Sequence, residues 1–512
     1  MATKETFLQD VQSGYSFKGG SIPLGRAMLN GSVVDGADIS IPLRAMNRHG
    51  LIAGATGTGK TKSLQMISEG LSTAGVPVML LDIKGDLSGL AAPGQESDRI
   101  KERAQLLNIQ FLPSGFPVEL LTLSSLPGVR LRATVSEFGP VLLSKILGLN
   151  DTQGGIVSLI FKYCDDNRLP LLDLKDFTRV LQYITTDGKA SIEKEYGKIS
   201  GTSVSTILRK VIELQQQGGD AFFGEPSFDV NDLMRTSPDG HGIISILRVT
   251  ELQNRPKLFS TFMLQLLAEL YATAPEVGDP DKPRLVLFID EAHLVFDEAT
   301  PVLLDEIENV IKLIRSKGIG VFFCTQNPVD IPASVLSQLG LKVQHALRAF
   351  TAADRKSIRQ AAENYPESSY YDVDALITQL GTGEAFVTTL NEKGIPTPLV
   401  HVMMRPPLSR MDVLTDGEVQ NLVMSSQLAG KYNTPLDTES AHEILGRKME
   451  AAAAEAEQQP ARGRKPAAQP AEKSILDNPY VKSAGRTAVT ILTRSLLGVL
   501  GLGGSGRRRR SF

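Results

Sequence analysis

The chain has 512 residues, 42% apolar and 22% charged, with a formal net charge of −3. That length allows two or three domains and a large core, and the composition is that of a globular protein rather than a disordered or fibrous one. Cys164 and Cys324 stand far apart outside any C-x-x-C pattern, and the six histidines form no H-E-x-x-H pair, which argues against structural disulfides, a zinc site and a bound transition metal.

Residues 1–47 read as too short and loop-rich for a separate large domain. The apolar run Gly50 to Ala53 is a candidate buried strand. It leads into Gly54-Ala55-Thr56-Gly57-Thr58-Gly59-Lys60-Thr61, an unbroken G-x-x-x-x-G-K-[ST] loop. Leu64, Ile67 and Leu71 follow at helical spacing. Strand, glycine loop and helix in this order are what a phosphate-binding loop requires. Glycines let backbone N–H groups curl around a triphosphate, and the helix N-terminus adds positive potential. In that role Lys60 reaches the β- and γ-phosphates of ATP, and Thr61 ligates Mg²⁺.

Further strands are expected over 78–82, 243–247, 285–289, 320–324, 343–347 and 385–387, separated by helix-like stretches. That alternation predicts an α/β fold with a mostly parallel sheet and helices on both faces. The five apolar residues 285–289 end in Asp290-Glu291, at the sheet edge where α/β proteins bind ligands. Asp290 is there to hold the Mg²⁺ shell, and Glu291 to orient and polarise the attacking water. The strand around Phe322 ends in Thr325-Gln326-Asn327-Pro328. Gln326 is a candidate sensor, because its amide can donate to a phosphate oxygen and accept from water. The same residues also fit the plain start of a turn closed by Asn327-Pro328.

The expected organisation is an N-terminal segment with the first part of the core over 1–95, a mainly helical insertion over 96–240, and the rest of the core over 241–410. A helical extension follows over 411–445, then a low-complexity linker over 446–473 rich in Ala, Gln, Glu and Pro, and a basic amphipathic tail over 474–512. Residues 481–512 carry seven cations, Arg507 to Arg510 among them, and no acidic residue; against the chain total of −3 this leaves the rest at −10. A nucleic acid held by the core therefore needs a local basic lining. The tail fits a segment that binds a protein partner or a membrane surface, and equally a solvated tail. No apolar run reaches transmembrane length and the polar start Met1 to Thr6 lacks a signal-peptide core, so a cytoplasmic protein without an integral membrane segment is expected.

The order of phosphate loop, long insertion, Asp290-Glu291-Ala292-His293, helix with Arg315-Ser316-Lys317-Gly318 and strand ending Thr325-Gln326 resembles the HerA/FtsK superfamily of ring-forming P-loop ATPases. The run Arg48 to Thr61 is similar to the HerA branch, and the likeness covers residues 20 to about 400. The resemblance implies a RecA-like core, a homo-hexameric ring and ATP-driven translocation on double-stranded DNA. It also implies arginine fingers: Arg48 matches an arginine preceding the family's loop, and Arg315 lies on the helix before the sensor strand, where a second is expected. Two departures stand out. HerA proteins generally begin with a β-barrel that docks a nuclease, for which residues 1–47 are too short, and Asn327 stands where the family often has an arginine. A nucleotide-gated scaffold that binds a protein partner without moving DNA would use the same loop and carboxylates.

Overall fold

In the computed structural model, residues 3–458 are described apart from 125, 252–254, 297–300 and 437. The basic tail and most of the linker lie outside the described residues. Twelve strands form one sheet: β1 (Ser21–Leu29), β2 (Ser32–Pro42), β3 (Gly50–Ala53), β4 (Val78–Asp82), β5 (Val118–Thr122), β6 (Val129–Arg130), β7 (Ile244–Arg248), β8 (Leu285–Ile289), β9 (Ile319–Thr325), β10 (Leu341–Gln344), β11 (Glu384–Thr388) and β12 (Val400–Met404). Their order is β2-β1-β12-β11-β10-β3-β9-β8-β4-β7-β5-β6. From β10 to β6 every neighbouring pair is parallel; from β10 back to β2 every pair is antiparallel.

The central strands are fully buried because alternate residues feed two separate cores. Leu51, Met79, Leu81, Leu287 and Phe323 face one core, together with Ile156, Ile160 and Ile311 from helices Asp151–Asn167 and Pro301–Ile314. Ile52, Leu80, Phe288 and Phe322 face the other, together with Leu64, Ile67 and Leu71 of helix Lys60–Thr73. A strand covered on both faces reads as an unbroken apolar run, and side-chain alternation assigns its residues to the two sides. A one-residue slip would exchange the two sets, so packing fixes register.

That register sets the site. Ala53 pairs with Thr325, Ile289 with Phe323 and Leu81 with Ile289. The carboxyl ends of β3, β4, β8 and β9 therefore reach one edge of the sheet together, and the residues just past them, 54, 83, 290 and 326, share that edge.

Residues 1–47 are more ordered than their sequence suggests. Helix Lys4–Gly14 packs on the sheet through Phe7 and Val11, and β1 and β2 extend the sheet beyond β12. The β1–β2 register shifts after Pro23 and again after Arg26. Gly25 has φ +155°, and a Cβ there would lie 2.0 Å from the Met403 carbonyl oxygen, so only glycine permits this close approach. Within 96–240 lie helices Asp98–Leu106, Val135–Ile146, Asp151–Asn167, Leu174–Tyr183 and Gly201–Gln216, together with β5 and β6, which join the same sheet. The strand expected over 343–347 ends at Gln344, and His345 turns into the site. Among the described residues no helix is long and apolar enough to cross a membrane.

Candidate active site

The phosphate loop leaves β3 at Ala53 and is tied down on both sides. Gly54 N donates to Thr325 O (3.2 Å), Ala55 N to Ala346 O (2.9 Å), and the Thr58 hydroxyl to Ala55 O (2.7 Å). Gly54, Gly57 and Gly59 have φ of +157°, +79° and +120°. A Cβ on Gly54 would lie 2.5 Å from His345 Cβ. Helix Lys60–Thr73 starts with no side-chain cap at Gly59, so its first N–H groups are free for an anion. Thr61 is half-buried in that first turn.

The charged groups gather where β8 ends. Lys60 is buried, its ammonium has no hydrogen-bond partner among the described residues, and its Nζ lies 3.7 Å from Glu291 Oε1. Asp290 is buried beside it; burial raises its pKa, against the lowering pull of Lys60 and Lys84. Burial alone would also raise Glu291, but the lysines Lys84 and Lys60 overcome it and its pKa is lowered. The Glu291 backbone is left-handed at φ +46°, a strained conformation for a side-chain-bearing residue that recurs at functional sites. Its turn is held by Ala292 N to Cys324 O (2.9 Å), and His293 Nδ1 lies 3.4 Å from Glu291 Oε2.

Lys84, which the sequence analysis passed over, forms an ion pair with Glu291 Oε1. It is aimed there by Asp82, whose carboxylate accepts from the N–H groups of Gly85 (2.7 Å), Asp86 (3.2 Å) and Leu87 (3.2 Å). Those bonds fold the segment after β4 back over the edge. Burial pushes the Asp82 carboxyl up to about 6. The available signal was Lys84 just beyond a predicted strand ending in Asp82.

His345 is the second residue missed. It is fully buried, and burial lowers its pKa to about 4, so the ring is neutral. Its Nδ1 lies 2.8 Å from Glu384 O, which can only accept, so Nδ1 carries the proton and Nε2 accepts from the Ser63 hydroxyl at 2.8 Å. His345 thus braces the loop helix against β11. Nearby, Gly383 N donates to Thr58 O at 2.9 Å.

Gln326 sits past the end of β9 at the same edge, exposed, and its side chain makes no hydrogen bond among the described residues. Thr325 instead donates to Asp330 (2.6 Å), closing the turn. Arg48 and Arg315 are elsewhere. Arg48 precedes β3 and Arg315 precedes β9, so both lie at the amino edge of the parallel strands. The seven residues of β9 span about 23 Å at 3.3 Å per residue. Both arginines converge on Asp279, Arg48 at 3.4 Å and Arg315 at 3.0 Å. Burial first, then the Arg315 charge, lowers the pKa of Arg48.

The family model described as helicase HerA-like C-terminal matches residues 28–510. The DNA double-strand break repair helicase HerA of Sulfolobus acidocaldarius is 22% identical over 377 residues, covering 72% of this chain and 67% of that protein. Probable helicase MJECL08 of Methanocaldococcus jannaschii is 35% identical over 116 residues, covering 22% of this chain and 20% of that one. Among solved structures, the unbound bacterial conjugative coupling protein TrwBdeltaN70 shares the fold, with a TM-score of 0.51 at 14% identity over 80% of this chain and 94% of that chain.

The brace gives a direct expectation. His345→Phe keeps an aromatic ring, slightly larger than imidazole, and loses both hydrogen bonds, so stability should fall by about 1–3 kcal/mol in chemical denaturation. An unchanged unfolding midpoint would show that His345 does not hold the loop.

Proposed function

The chain belongs to the helicase HerA-like C-terminal family, and from that premise we propose that it is an ATP-hydrolysing ring motor, a homo-hexamer that translocates on double-stranded DNA. The observation that carries this is the carboxyl edge, where Lys60, Lys84, Asp290 and Glu291 meet beside the glycine loop. Lys60 presents a buried ammonium with no hydrogen-bond partner among the described residues, which fits a polyphosphate lying across the loop. Thr61 and Asp290 would hold Mg²⁺, which when bound neutralises phosphate charge. Lys60 stabilises the transferred phosphoryl group, Glu291 polarises the attacking water, Lys84 positions Glu291, and Gln326 reports the state of the γ-phosphate.

A ring is supported by the arginines. Arg48 and Arg315 stand across the sheet from their own loop, so if either acts at a γ-phosphate it does so in a neighbouring subunit. Their shared partner Asp279 holds both side chains at that edge. DNA as substrate is supported by the name of the Sulfolobus relative, a DNA repair helicase, and by one surface. Arg348, Phe350, Arg355, Lys356 and Arg359 are exposed around the start of helix Ala352–Ala362, with Phe350 88% accessible. A concentrated basic surface bearing an exposed aromatic ring suits a polyanion in a chain whose net charge is otherwise negative. A cytoplasmic location belongs to the same reading, supported by Cys164 and Cys324 as buried free thiols.

Two experiments bear on this. In mixtures of Lys60→Ala subunits with Arg315→Ala or Arg48→Ala subunits, one mixture should recover ATPase activity that neither parent shows. No recovery at any ratio would refute action in trans. Arg355→Glu/Arg359→Glu should keep basal turnover and lose most stimulation by double-stranded DNA, with the salt dependence of the residual stimulation reduced. Wild-type turnover that DNA never changes would instead favour a nucleotide-gated scaffold.

A further inference from the structure

A cavity of about 240 Å³ opens between the helical insertion and the C-terminal extension. Arg132, Asp176 and Glu225 line it from the insertion, and Ser440, His442 and Glu443 from the start of helix Ala441–Gln458. None of its lining residues belongs to the phosphate loop or to the Asp290–Glu291 edge. From its unmatched charges we propose that this cavity binds a free α-amino acid. The ligand carboxylate meets Arg132 and His442, and its ammonium meets Glu225.

Most carboxylates around the cavity are already spent. Asp176 is buried and accepts from Leu172 N (2.8 Å), Asp173 N (3.1 Å), His442 N (2.8 Å) and the Ser440 hydroxyl (2.5 Å). Asp173 accepts from Lys175 N (2.7 Å) and Asp176 N (3.0 Å), and Glu443 from Ser440 N (3.0 Å). These groups hold the starts of two helices. Three others are left over. Arg132 is 7% accessible, yet its guanidinium donates one bond, to Tyr432 O (2.9 Å), and pairs with no carboxylate among the described residues. His442 Nε2 lies 3.4 Å from Arg179 Nη2, which can only donate, so Nδ1 carries the proton. That Nδ1 is buried with no partner among the described residues, and Glu225 Oε2 is a buried acceptor in the same condition.

A buried charge without a counter-charge is costly, and here a cation and a carboxylate line one cavity without pairing with each other. A simple anion would satisfy Arg132 but meet Glu225 with like charge. A simple cation would do the reverse. A zwitterion answers both, through charge-assisted hydrogen bonds at each end. The volume is below the range of about 300–1,000 Å³ common for small-molecule sites, a size for an amino acid rather than a nucleotide. Leu172 and Phe223 add an apolar wall for its side chain. The two parts are already joined without a ligand: the Tyr432 hydroxyl donates to Asp232 (2.6 Å), and Ala441 N donates to Pro170 O (3.0 Å). An amino acid bound between them would tie the extension more firmly to the insertion.

The test titrates the full-length, nucleotide-free protein with each proteinogenic L-amino acid and with inorganic phosphate, by calorimetry. At least one amino acid should bind, and more tightly than phosphate. Its N-acetyl and carboxamide derivatives, which each remove one charge, should bind about tenfold or more weakly. Glu225→Gln keeps the side-chain shape at a half-buried position, and Arg132→Gln removes the cation. Each should weaken the amino acid by about tenfold or more, and Glu225→Gln should leave ATP affinity unchanged. The proposal is overturned if no amino acid binds, if phosphate binds as tightly, if both derivatives bind like the parent, or if Glu225→Gln binds the amino acid like wild type. If Arg132→Gln does not fold, Glu225→Gln and the two derivatives decide the question.

Discussion

Everything at the candidate site depends on one buried charge arrangement. Lys60 is taken out of water with no hydrogen bond among the described residues, and Glu291 lies 3.7 Å from its ammonium as a counter-charge. A buried ammonium is tolerated only with anions close by, and removing one partner of such a pair costs several kcal/mol. Asp290 and Glu291 supply those anions, while Lys84 balances the second carboxylate from outside the pair. The arrangement exists because four parallel strands end at one edge in fixed register. The register in turn is held by alternate residues entering two different cores.

The antiparallel half of the sheet is part of the same device. β10 and β11 contribute no residue to the Lys60, Asp290 and Glu291 cluster, yet His345 and Gly383 reach the phosphate loop from them. His401 on β12 pairs with Glu384 (3.0 Å), which fixes the start of β11 beside Gly383. A change in the loop on hydrolysis would therefore be felt in β11 and β12, and from there in β1 and β2. The parallel strands carry the charged cluster, and the antiparallel strands hold the phosphate loop beside it.

How legible this was depended on how local each signal is. β3, β4, β8 and β9 were readable because burial on both faces leaves an unbroken apolar run, and the loop was readable because its glycines are contiguous. β12 was missed because His401 interrupts the pattern, and its partner Glu384 belongs to another strand. β5 was missed for a similar reason: Glu119 sits inside it and is balanced by Arg235, 116 residues away. β1 and β2 mix glycine, proline and exposed positions because they lie toward one edge. Arg48 and Arg315 were named from the family pattern. Their convergence on Asp279 joins residues 231 and 36 positions apart, and no spacing rule spans that.

The central claim is that Glu291 polarises water for hydrolysis at a loop that binds nucleotide without it. The direct measurement is ATP affinity and single-turnover phosphate release in Glu291→Gln, which keeps the shape of the side chain and removes the carboxylate. The account predicts ATP binding within a fewfold of wild type and phosphate release slower by on the order of a hundredfold or more. Wild-type phosphate release by that variant would contradict it and assign the chemistry to another group.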